Sequence, residues 1–522
     1  MFTRLLPVAP PRGALALAAI LCTASLCSAQ FAQGGQGGGT PQPAPLPLSG
    51  RPSNAGAVIA GQTPTPGGGS GVATVTPTIQ IQGAFSGSAA PTSAGAQQTP
   101  LTLADAVRRG VEYNLGVLNL GALVTQAQGQ RVVARGALLP NISGDVSTVR
   151  QQMNLAAMGF RFSLPAGAFS LPSIVGPFNQ VDVRARLTQA LFDRVALNNY
   201  RAASETAKAA ELSAQDANDA VVLAVAGAYL DVVASRARVE AVRAQLETAN
   251  ALLKQTQQRR DAGLVAQVDV GRSQVQALTQ QQRLTTAQND YAKKKITLAR
   301  LVGLPPTDGY DVGADVPFAA APPVPLDAAI RQALDSRADL RAAQAQVRAA
   351  ERALGAAHSA HLPSATLSAD FGTIGTTLPD SRATFSVAGR VHVPLWAGGR
   401  EEGTTQQAEA ALQQRRAELL DLGGQVEGDV RRAYLDVQAA ASQIEVALRN
   451  QEVAGDTLAL TRQRFEAGIA DSVEVVQAQE AVAGAVLDYI NSVFAHNLAK
   501  VTLARSMGVS AERLAEFLRV AP

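Results

Sequence analysis

Residues 181–191 read Val-Asp-Val-Arg-Ala-Arg-Leu-Thr-Gln-Ala-Leu, and apolar residues occupy most of the odd positions. The charged residues Asp182, Arg184 and Arg186 stand between them. An alternation with a period of two places the two kinds of side chain on opposite faces of a β-strand. A strand of about ten residues with one apolar and one polar face is typical of an outer-membrane β-barrel.

Three further stretches show the same alternation: residues 365–371 and 384–395, and more weakly 141–150. Their polar positions include Asp370 and Arg390, which could line an aqueous lumen or simply face solvent. Four strands cannot close a barrel, because about eight are needed and open sheet edges are not tolerated in lipid. The pattern therefore predicts a subunit that oligomerises to close its sheet, with an ordinary soluble sheet as the alternative.

The strands belong to a tandem duplication. Residues 228–232, Ala-Tyr-Leu-Asp-Val, recur unchanged at 433–437, 205 positions later. The same offset relates Ala262-Gly263 to Ala467-Gly468 and residues 298–300 to 503–505. We therefore predict a first repeat over 101–304, a Pro-rich linker over 305–325 and a second repeat over 326–522.

Each repeat also contains a heptad pattern that predicts a long helical hairpin. Val225, Val232 and Val239 stand seven residues apart, and the second repeat keeps the phase with Val430 and Val437. No proline interrupts residues 178–304 or 395–521, which permits very long helices. A fibrous coiled coil would share these helices but not the strands that precede them.

The N-terminal segments have other compositions. Residues 1–29 combine Arg4 and Arg12 with a small and apolar run, which predicts a secretory signal peptide. Both cysteines of the chain lie inside it, and lipidation of Cys27 is disfavoured by the preceding Leu26 but stays an open alternative. Residues 30–100 are rich in Gly, Pro, Ser and Gln, which predicts a disordered leader.

The composition argues against an enzyme and against a nucleic-acid-binding protein. Charged residues make up 17% and aromatic residues 4%, and the 45 Lys and Arg nearly balance the 42 Asp and Glu. His358 and His361 lack a zinc-ligand pattern with a nearby acid, and Gly398-Gly399 lacks the Lys and hydroxyl residue of a phosphate-binding loop. No apolar run reaches the roughly 18–20 residues of a membrane-spanning helix. We expect neither cofactor nor metal.

Together these features resemble the TolC-like outer-membrane efflux protein family, or outer membrane factors. The resemblance covers residues 101–516 and is most specific at the strand-to-helix junctions, 189–193 and 393–400, and at the hairpin tips, 261–270 and 466–475. It implies an α+β, mostly helical fold: a homotrimer with a twelve-stranded outer-membrane β-barrel continued by a periplasmic α-helical barrel. The implied function is the passive exit duct of a tripartite efflux system for small molecules. The implied partners are outer-membrane lipid, a periplasmic adaptor protein and an inner-membrane pump of the RND or ABC class.

The resemblance also suggests roles for individual residues. Gate residues at the periplasmic end would be Phe465, Asp471, Glu474 and Asp269, although Ala470 and Gln477 depart from the family pattern. Adaptor-docking positions at the tips would be Gly263, Leu264, Gly468 and Ile469, and the lumen-facing strand residues would be Asp182, Arg184, Arg186, Asp370 and Arg390. A helix N-terminal acid, a helix-stopping glycine and a solvated strand face are the plainer explanations of these three groups.

Two other functions stay open at this stage. The same duct could serve a type I protein secretion system. A periplasmic coiled-coil adaptor or scaffold without a pore is the rival from a different class, although such an adaptor normally has one hairpin rather than two.

Overall fold

A computed structural model of the chain describes residues 57–65, 74–89, 100–155, 157, 174–305, 310–313, 318–509 and 517–518. The predicted signal peptide, both cysteines and much of the leader lie outside these residues. Within the described residues, the helices are α1 Leu103–Tyr113, α2 Leu115–Gly136, α3 Arg194–Asp261, α4 Gln267–Val302, α5 Leu326–Ser336, α6 Ala338–His358, α7 Arg400–Glu466 and α8 Ser472–Ser506. The strands are β1 Val58–Thr65, β2 Thr74–Ile81, β3 Asn141–Asn154, β4 Ile174–Phe192, β5 Ser364–Gly375 and β6 Arg382–His392.

The two repeats have the same order of elements: two shorter helices, two strands and a hairpin of long helices. The longest helices, α3 and α7, contain 68 and 67 residues, so each extends for about 100 Å. Asp193 caps the start of α3, where its side chain accepts a hydrogen bond from the amide of Ala196 at 2.8 Å. These long helices are the ones that the heptads and the absence of proline predict.

Strands β3 to β6 form one antiparallel sheet in the order β3-β4-β5-β6. Arg184 lies opposite Asp145 on one side and Gly372 on the other. A Cβ at Gly372 would be 2.3 Å from the Cβ of Arg184, so only glycine leaves room for the arginine. One face of the sheet is polar, whereas the other carries exposed apolar side chains, among them Ile142, Val146, Phe371, Phe385 and Val387.

The helices form a layer that continues from one end of this sheet. Next to the sheet the order of packed neighbours is α2-α3-α6-α7, and towards the hairpin tips it becomes α4-α3-α8-α7. The main apolar core lies between these two stretches, where residues 221–234 of α3 pack against α8 and α7. In both stretches, an element of the first repeat and an element of the second repeat occupy the two open edges.

Among the described helices, only α3 contains an 18-residue window apolar enough to cross a membrane by length and composition. The sequence shows no uninterrupted apolar run of that length in α3, because polar residues such as Asp231 interrupt its apolar stretches. Of this window 83% is buried, which makes it a core segment of the helical layer.

The predicted disorder of the leader does not hold for β1 and β2, which pair as an antiparallel hairpin with Val58 opposite Ile81. Ile79 and Ile81 pack against the main core. A Cβ at Gly227 of α3 would come within 2.3 Å of Ile79 Cδ1, so this glycine lets the hairpin approach the helix. The composition of residues 30–100 as a whole predicts disorder. It does not reveal that a short β-branched run within them packs against a helix about 150 residues further along the chain.

Candidate functional site: the hairpin tips and the polar strand face

Both hairpins turn at a glycine with a left-handed backbone. Gly263 has φ of +77°, and its amide donates to the carbonyl of Arg260 at 2.8 Å. Gly468 has φ of +74°, and its amide donates to the carbonyl of Phe465 at 3.1 Å. A positive φ at this position is the usual way for a helix to stop, so the glycines are fully explained by the turn itself.

The residue that follows each glycine projects into solvent. The side chain of Leu264 is 72% exposed and that of Ile469 is 70% exposed. The turn itself does not require a large apolar side chain after the glycine. Both hairpin tips nevertheless expose one. They are the predicted docking positions, and the structure leaves both accessible.

The acidic residues at the tips begin the returning helices. Asp471 caps α8 by accepting hydrogen bonds from the amides of Val473 at 3.0 Å and Glu474 at 2.9 Å. Glu474 lies in the first turn of α8 and forms an ion pair with Arg464 of α7 at 3.2 Å. Asp471 therefore has a structural role as a cap, whereas the side chain of Glu474 stays partly exposed.

Asp269 connects the two hairpins. It lies in the first turn of α4, where its carboxylate accepts a hydrogen bond from the hydroxyl of Ser472 at 2.8 Å. Arg272 approaches the same carboxylate at 3.4 Å. Ser472 is itself buried. This polar contact joins the first turns of the two returning helices, one from each repeat.

The structure does not support a gate-lining role for Phe465. Its side chain is only 4% exposed and packs with Leu252 of α3 and Val475 of α8 in a small apolar cluster between the hairpins. The half-buried Ala470 borders the same cluster. The sequence match placed an aromatic residue at a gate position, but the ring here serves as packing between the two hairpins.

Arg259 of α3 is a tip residue that the sequence analysis missed. Its guanidinium donates to the carbonyl oxygens of Phe465 at 2.8 Å and Glu466 at 2.9 Å, and it lies 4.5 Å from the centroid of the Phe465 ring. These carbonyls belong to the last turn of α7, the negative end of the helix dipole, where a cation is favoured. The repeat offset aligns Arg259 with Arg464. Because both repeats have an arginine at this position, the sequence does not indicate that Arg259 contacts the other hairpin.

A second polar contact between hairpins lies further from the tips. Glu480 of α8 accepts hydrogen bonds from Gln276 at 2.6 Å and Gln280 at 3.0 Å, and it forms an ion pair with Arg283 at 2.8 Å. The equivalent position in the first repeat is Val275, which faces solvent. Aligning the two repeats places Glu480 opposite Val275. This difference between a carboxylate and a valine is the sequence feature from which the contact could have been predicted.

The polar face of the sheet carries most of the predicted lumen residues. Arg184 pairs with Asp182 at 2.9 Å and with Asp370 of the next strand at 2.5 Å. Arg186 approaches Asp145 of β3 at 3.5 Å. Arg390 lies apart from this cluster, on the edge strand β6 opposite Thr366. Four of the five predicted residues therefore lie together on β4 and β5, where Arg186 is directly opposite Asp370.

Within the described part of the chain, no group of three or more His, Cys, Asp or Glu side chains could hold a metal ion. The structure does bring an acid to His361, since Glu401 at the start of α7 lies 2.6 Å from its Nδ1. This contact connects the segment before the second strand pair to the helix that follows it.

Comparisons with known proteins agree on one family. A family model described as outer membrane efflux protein matches residues 114–304 and 329–509. The pyoverdine export outer membrane protein OpmQ of Pseudomonas aeruginosa is 24% identical over 401 residues, which cover 74% of this chain and 81% of that protein. The toluene efflux pump outer membrane protein TtgF of Pseudomonas putida is 26% identical over 398 residues, 72% and 76% of the two chains.

Solved structures show the same fold. The Campylobacter jejuni CmeC outer membrane channel superimposes with a TM-score of 0.70 at 16% identity, covering 85% of this chain and 98% of that one. The outer membrane protein VceC of Vibrio cholerae gives a TM-score of 0.68 at 21% identity, covering 78% and 96%.

Proposed function

Because this chain belongs to the outer membrane efflux protein family, whose members include the TolC outer membrane protein, we propose that it is the passive exit duct of a tripartite efflux system. It is an outer-membrane protein of the TolC type, with its helical part in the periplasm. Family membership makes it a transport component rather than an enzyme. We further propose that it forms a closed homotrimer and that small molecules pass through it.

The open edges of the sheet and of the helical layer support this proposal most directly. The edge strands are β3 and β6, the edge helices near the sheet are α2 and α7, and those near the tips are α4 and α7. Each pair combines one element from each repeat. Such edges fit a head-to-tail ring, in which the second repeat of one chain meets the first repeat of the next.

The duplication indicates which surfaces would meet. Inside one chain, α3 packs against α6 and α8. The repeat equivalent of α3 is α7, and the equivalents of α6 and α8 are α2 and α4. The same packing between two chains would therefore place α7 against α2 and α4 of the neighbour, and β6 beside its β3.

Exposed apolar side chains lie where this packing requires them. On α8, Ala483 is 3% exposed and packs beside α3, whereas its equivalent on α4, Leu278, is 62% exposed. Val275 extends the same exposed face of α4. On α7, Val446 and Val453 stand seven residues apart and are also exposed. Their burial in a ring would remove two apolar stripes from water on every chain.

The ring also accounts for the sheet. Four strands with an exposed apolar face and two open edges are unsuited to water and to lipid alike, and closure removes both edges. Three copies would supply twelve strands, the number that the family resemblance implies. The paired charges Asp182, Arg184, Arg186 and Asp370, together with Arg390, would then line the lumen.

At the other end, the tips would form the periplasmic entrance. We assign Glu474 to the ring of acids that attracts cations, Asp269 and Asp471 to holding the returning helices in place, and Arg259 to holding the hairpins together. Leu264 and Ile469, with the glycines that expose them, would dock the adaptor protein, which in turn joins an RND or ABC pump. The named export activities of the relatives, pyoverdine and toluene, favour small molecules over secreted proteins as cargo.

Crosslinking of introduced cysteines tests the ring directly. Gln245 of α3 donates to the carbonyl of Ala483 on α8 at 3.5 Å, and the repeat offset converts this pair into Asn450 of one chain and Leu278 of the next. The double variant Asn450→Cys/Leu278→Cys should yield covalent trimers with a flexible bis-maleimide, which replaces the reach of the glutamine side chain, because each chain is then linked to two neighbours. The control Asn450→Cys/Val268→Cys shifts one cysteine by ten residues, about 15 Å along α4, and should not crosslink.

Function is tested in planar bilayers with the purified trimer. We expect ion conductance through a trimer that dissociates on heating. A monomer that is soluble without detergent and does not conduct would refute the duct and favour a scaffold.

A further inference from the structure

The strand pairs of the two repeats have the same register. Asn141 of β3 lies opposite Thr188 of β4. Ser364 of β5 lies opposite His392 of β6. The dipeptide Leu-Pro stands directly before both β3 and β5. Asn141 and Ser364 are therefore equivalent positions, and so are Thr188 and His392.

This equivalence extends the observed pairing of β4 with β5 to the contact between chains. Inside one chain, β4 and β5 join the first repeat to the second. A ring would repeat this contact between β6 of one chain and β3 of the next, and we call that contact the seam. Arg186 lies opposite Asp370 within the chain. At the seam, the equivalent pair is Arg390 and Ser147.

The same register brings Asp145 close to two basic residues of the next chain. Asp145 would lie directly opposite His392 and diagonally from Arg390. The same diagonal separates Arg184 from Asp370 inside the chain, and these two side chains form an ion pair at 2.5 Å. In both cases the acid stands two residues before the residue opposite the arginine. The side chain of Asp145 is 52% exposed, so it is accessible to a neighbouring chain.

The ends of β4 and β6 differ in a way that a neighbouring strand would explain. β4 continues to Phe192, because β5 pairs with its last residues. β6 ends at His392, four residues earlier by the repeat equivalence. Residues 393–396 lie at the open edge, where Trp396, the equivalent of Phe192, is 89% exposed. At the seam, Trp396 would lie opposite Ile142, whose side chain is 74% exposed.

Pro394 is compatible with a strand at this point. Its equivalent is Ala190, which stands beside an irregularity in the register of β4 and β5. A β-bulge leaves one residue outside the regular ladder, and proline occurs in sheets at edges and bulges.

We propose that β6 continues to Trp396 and pairs with β3 of the next chain in this register, and that Asp145 forms an ion pair with Arg390 across the seam. The inference rests on the proposed function, which supplies the ring, and it names the residues by which one copy binds the next. A shift by one residue would exchange the two faces of one strand, so the alternation excludes it. Shifts by two residues keep the faces, and crosslinking distinguishes them.

Cysteine pairs measure the register in the assembled protein. Val391→Cys/Val146→Cys joins two positions that would lie directly opposite each other, at a Cα separation of about 4.5–5.5 Å that a disulfide spans. Oxidation should therefore yield covalent trimers. Val391→Cys/Gly144→Cys and Val391→Cys/Thr148→Cys shift one cysteine by two residues, about 7 Å along β3, and should not crosslink.

A further pair tests the continuation of β6. Trp396→Cys/Ile142→Cys should also yield covalent trimers on oxidation. If it fails while Val391→Cys/Val146→Cys succeeds, β6 ends at His392 in the ring, and the continuation is overturned.

A double-mutant cycle tests the ion pair. Arg390→Gln should lower the temperature at which the trimer dissociates in detergent. In a chain that already carries Asp145→Asn, it should have no further effect. Arg382→Gln is the matched control, since Arg382 lies on the same face of β6, opposite Ile374, about 27 Å from Arg390. Equal effects of Arg390→Gln with and without Asp145 would overturn the ion pair.

The outcomes separate the seam from the duct. Conducting trimers that crosslink through Asn450 and Leu278, but through Gly144 or Thr148 rather than Val146, would overturn the register alone. Crosslinks in the helices with none in the strands would overturn the seam and leave the duct standing. If neither the helices nor the strands yielded covalent trimers, the chains would not form this ring, and the proposed function would fail together with the seam.

Discussion

Replacing Arg259 by Ala should loosen the contact between the two hairpin tips of each chain. The substitution removes hydrogen bonds of 2.8 and 2.9 Å from α3 to the last turn of α7 and the contact with the Phe465 ring at 4.5 Å. A hydrogen bond to a charged group contributes about 1.5–3 kcal/mol and an exposed cation–π contact about 0.5–1 kcal/mol. Because Arg259 is only half-buried and water replaces part of these contacts, we expect a net loss of about 2 kcal/mol per chain.

A loss of about 2 kcal/mol corresponds to a change of roughly 30-fold in the balance between joined and separated tips. The measurement is the open fraction of single channels in planar bilayers, together with the passage of a small dye through vesicles. The Arg259→Ala channel should be open far more often than the unmodified one. Arg259→Lys should lie in between, since lysine keeps the charge but cannot bridge two carbonyls with a planar fork.

Arg260→Ala is the matched control. Arg260 is the next residue of the same helix, but its guanidinium contacts Asp261 and Gln267, both within the first hairpin. Its removal takes away the same charge without touching the second hairpin, so the open fraction should not change. Equal opening by both variants, or by neither, would refute the role of Arg259.

Three further predictions concern the entrance, the docking surface and the core. Glu474→Gln should reduce the preference of the pore for cations, measured as the reversal potential in a salt gradient, and an unchanged potential would remove Glu474 from the entrance. Leu264→Asp should abolish crosslinking to the adaptor, whereas Leu264→Met should preserve it; full crosslinking by the Asp variant would exclude docking at this tip. Burial raises the pKa of Asp219 from its ordinary value of 3.8 to about 6, partly offset by Arg505. The charged form therefore costs stability in full above pH 6, and this cost shrinks as the pH falls from about 6 towards 4 and is absent below that range. Asp219→Asn should therefore raise the melting temperature at pH 8 and have little effect at pH 4, and an equal shift at both values would contradict this linkage.

Features that depend on neighbouring residues in the chain are predictable from the sequence. The strands follow from alternation along residues 181–191 and 384–395, since burial of one face depends only on the period of the pattern. The long helices follow from heptads without proline, and the tip turns follow from Gly263 and Gly468. The duplication makes these features easier to recognise, because each of them occurs in both repeats.

Features that depend on contacts between distant segments are not predictable in the same way. The β1–β2 hairpin is ordered because Ile79 meets Gly227, and composition alone gives no sign of that partner. Phe465 is buried and Arg259 reaches across to α7 because of how closely the two hairpins approach each other. Arg184 could have paired with several acids on the sheet, and the strand register decides that it reaches Asp370 as well as Asp182.

The unlike edges of each chain have a consequence for assembly in the cell. In a head-to-tail ring, each subunit must accept one neighbour on its first-repeat edge and offer its second-repeat edge to another. A variant damaged only along β3 and α4 would keep an intact edge on β6 and α7, so it could still join a growing ring and then prevent its closure. Such a variant would be dominant-negative, because it would trap normal subunits in rings that cannot close. A variant damaged on both edges would not enter rings and would leave the normal subunits functional.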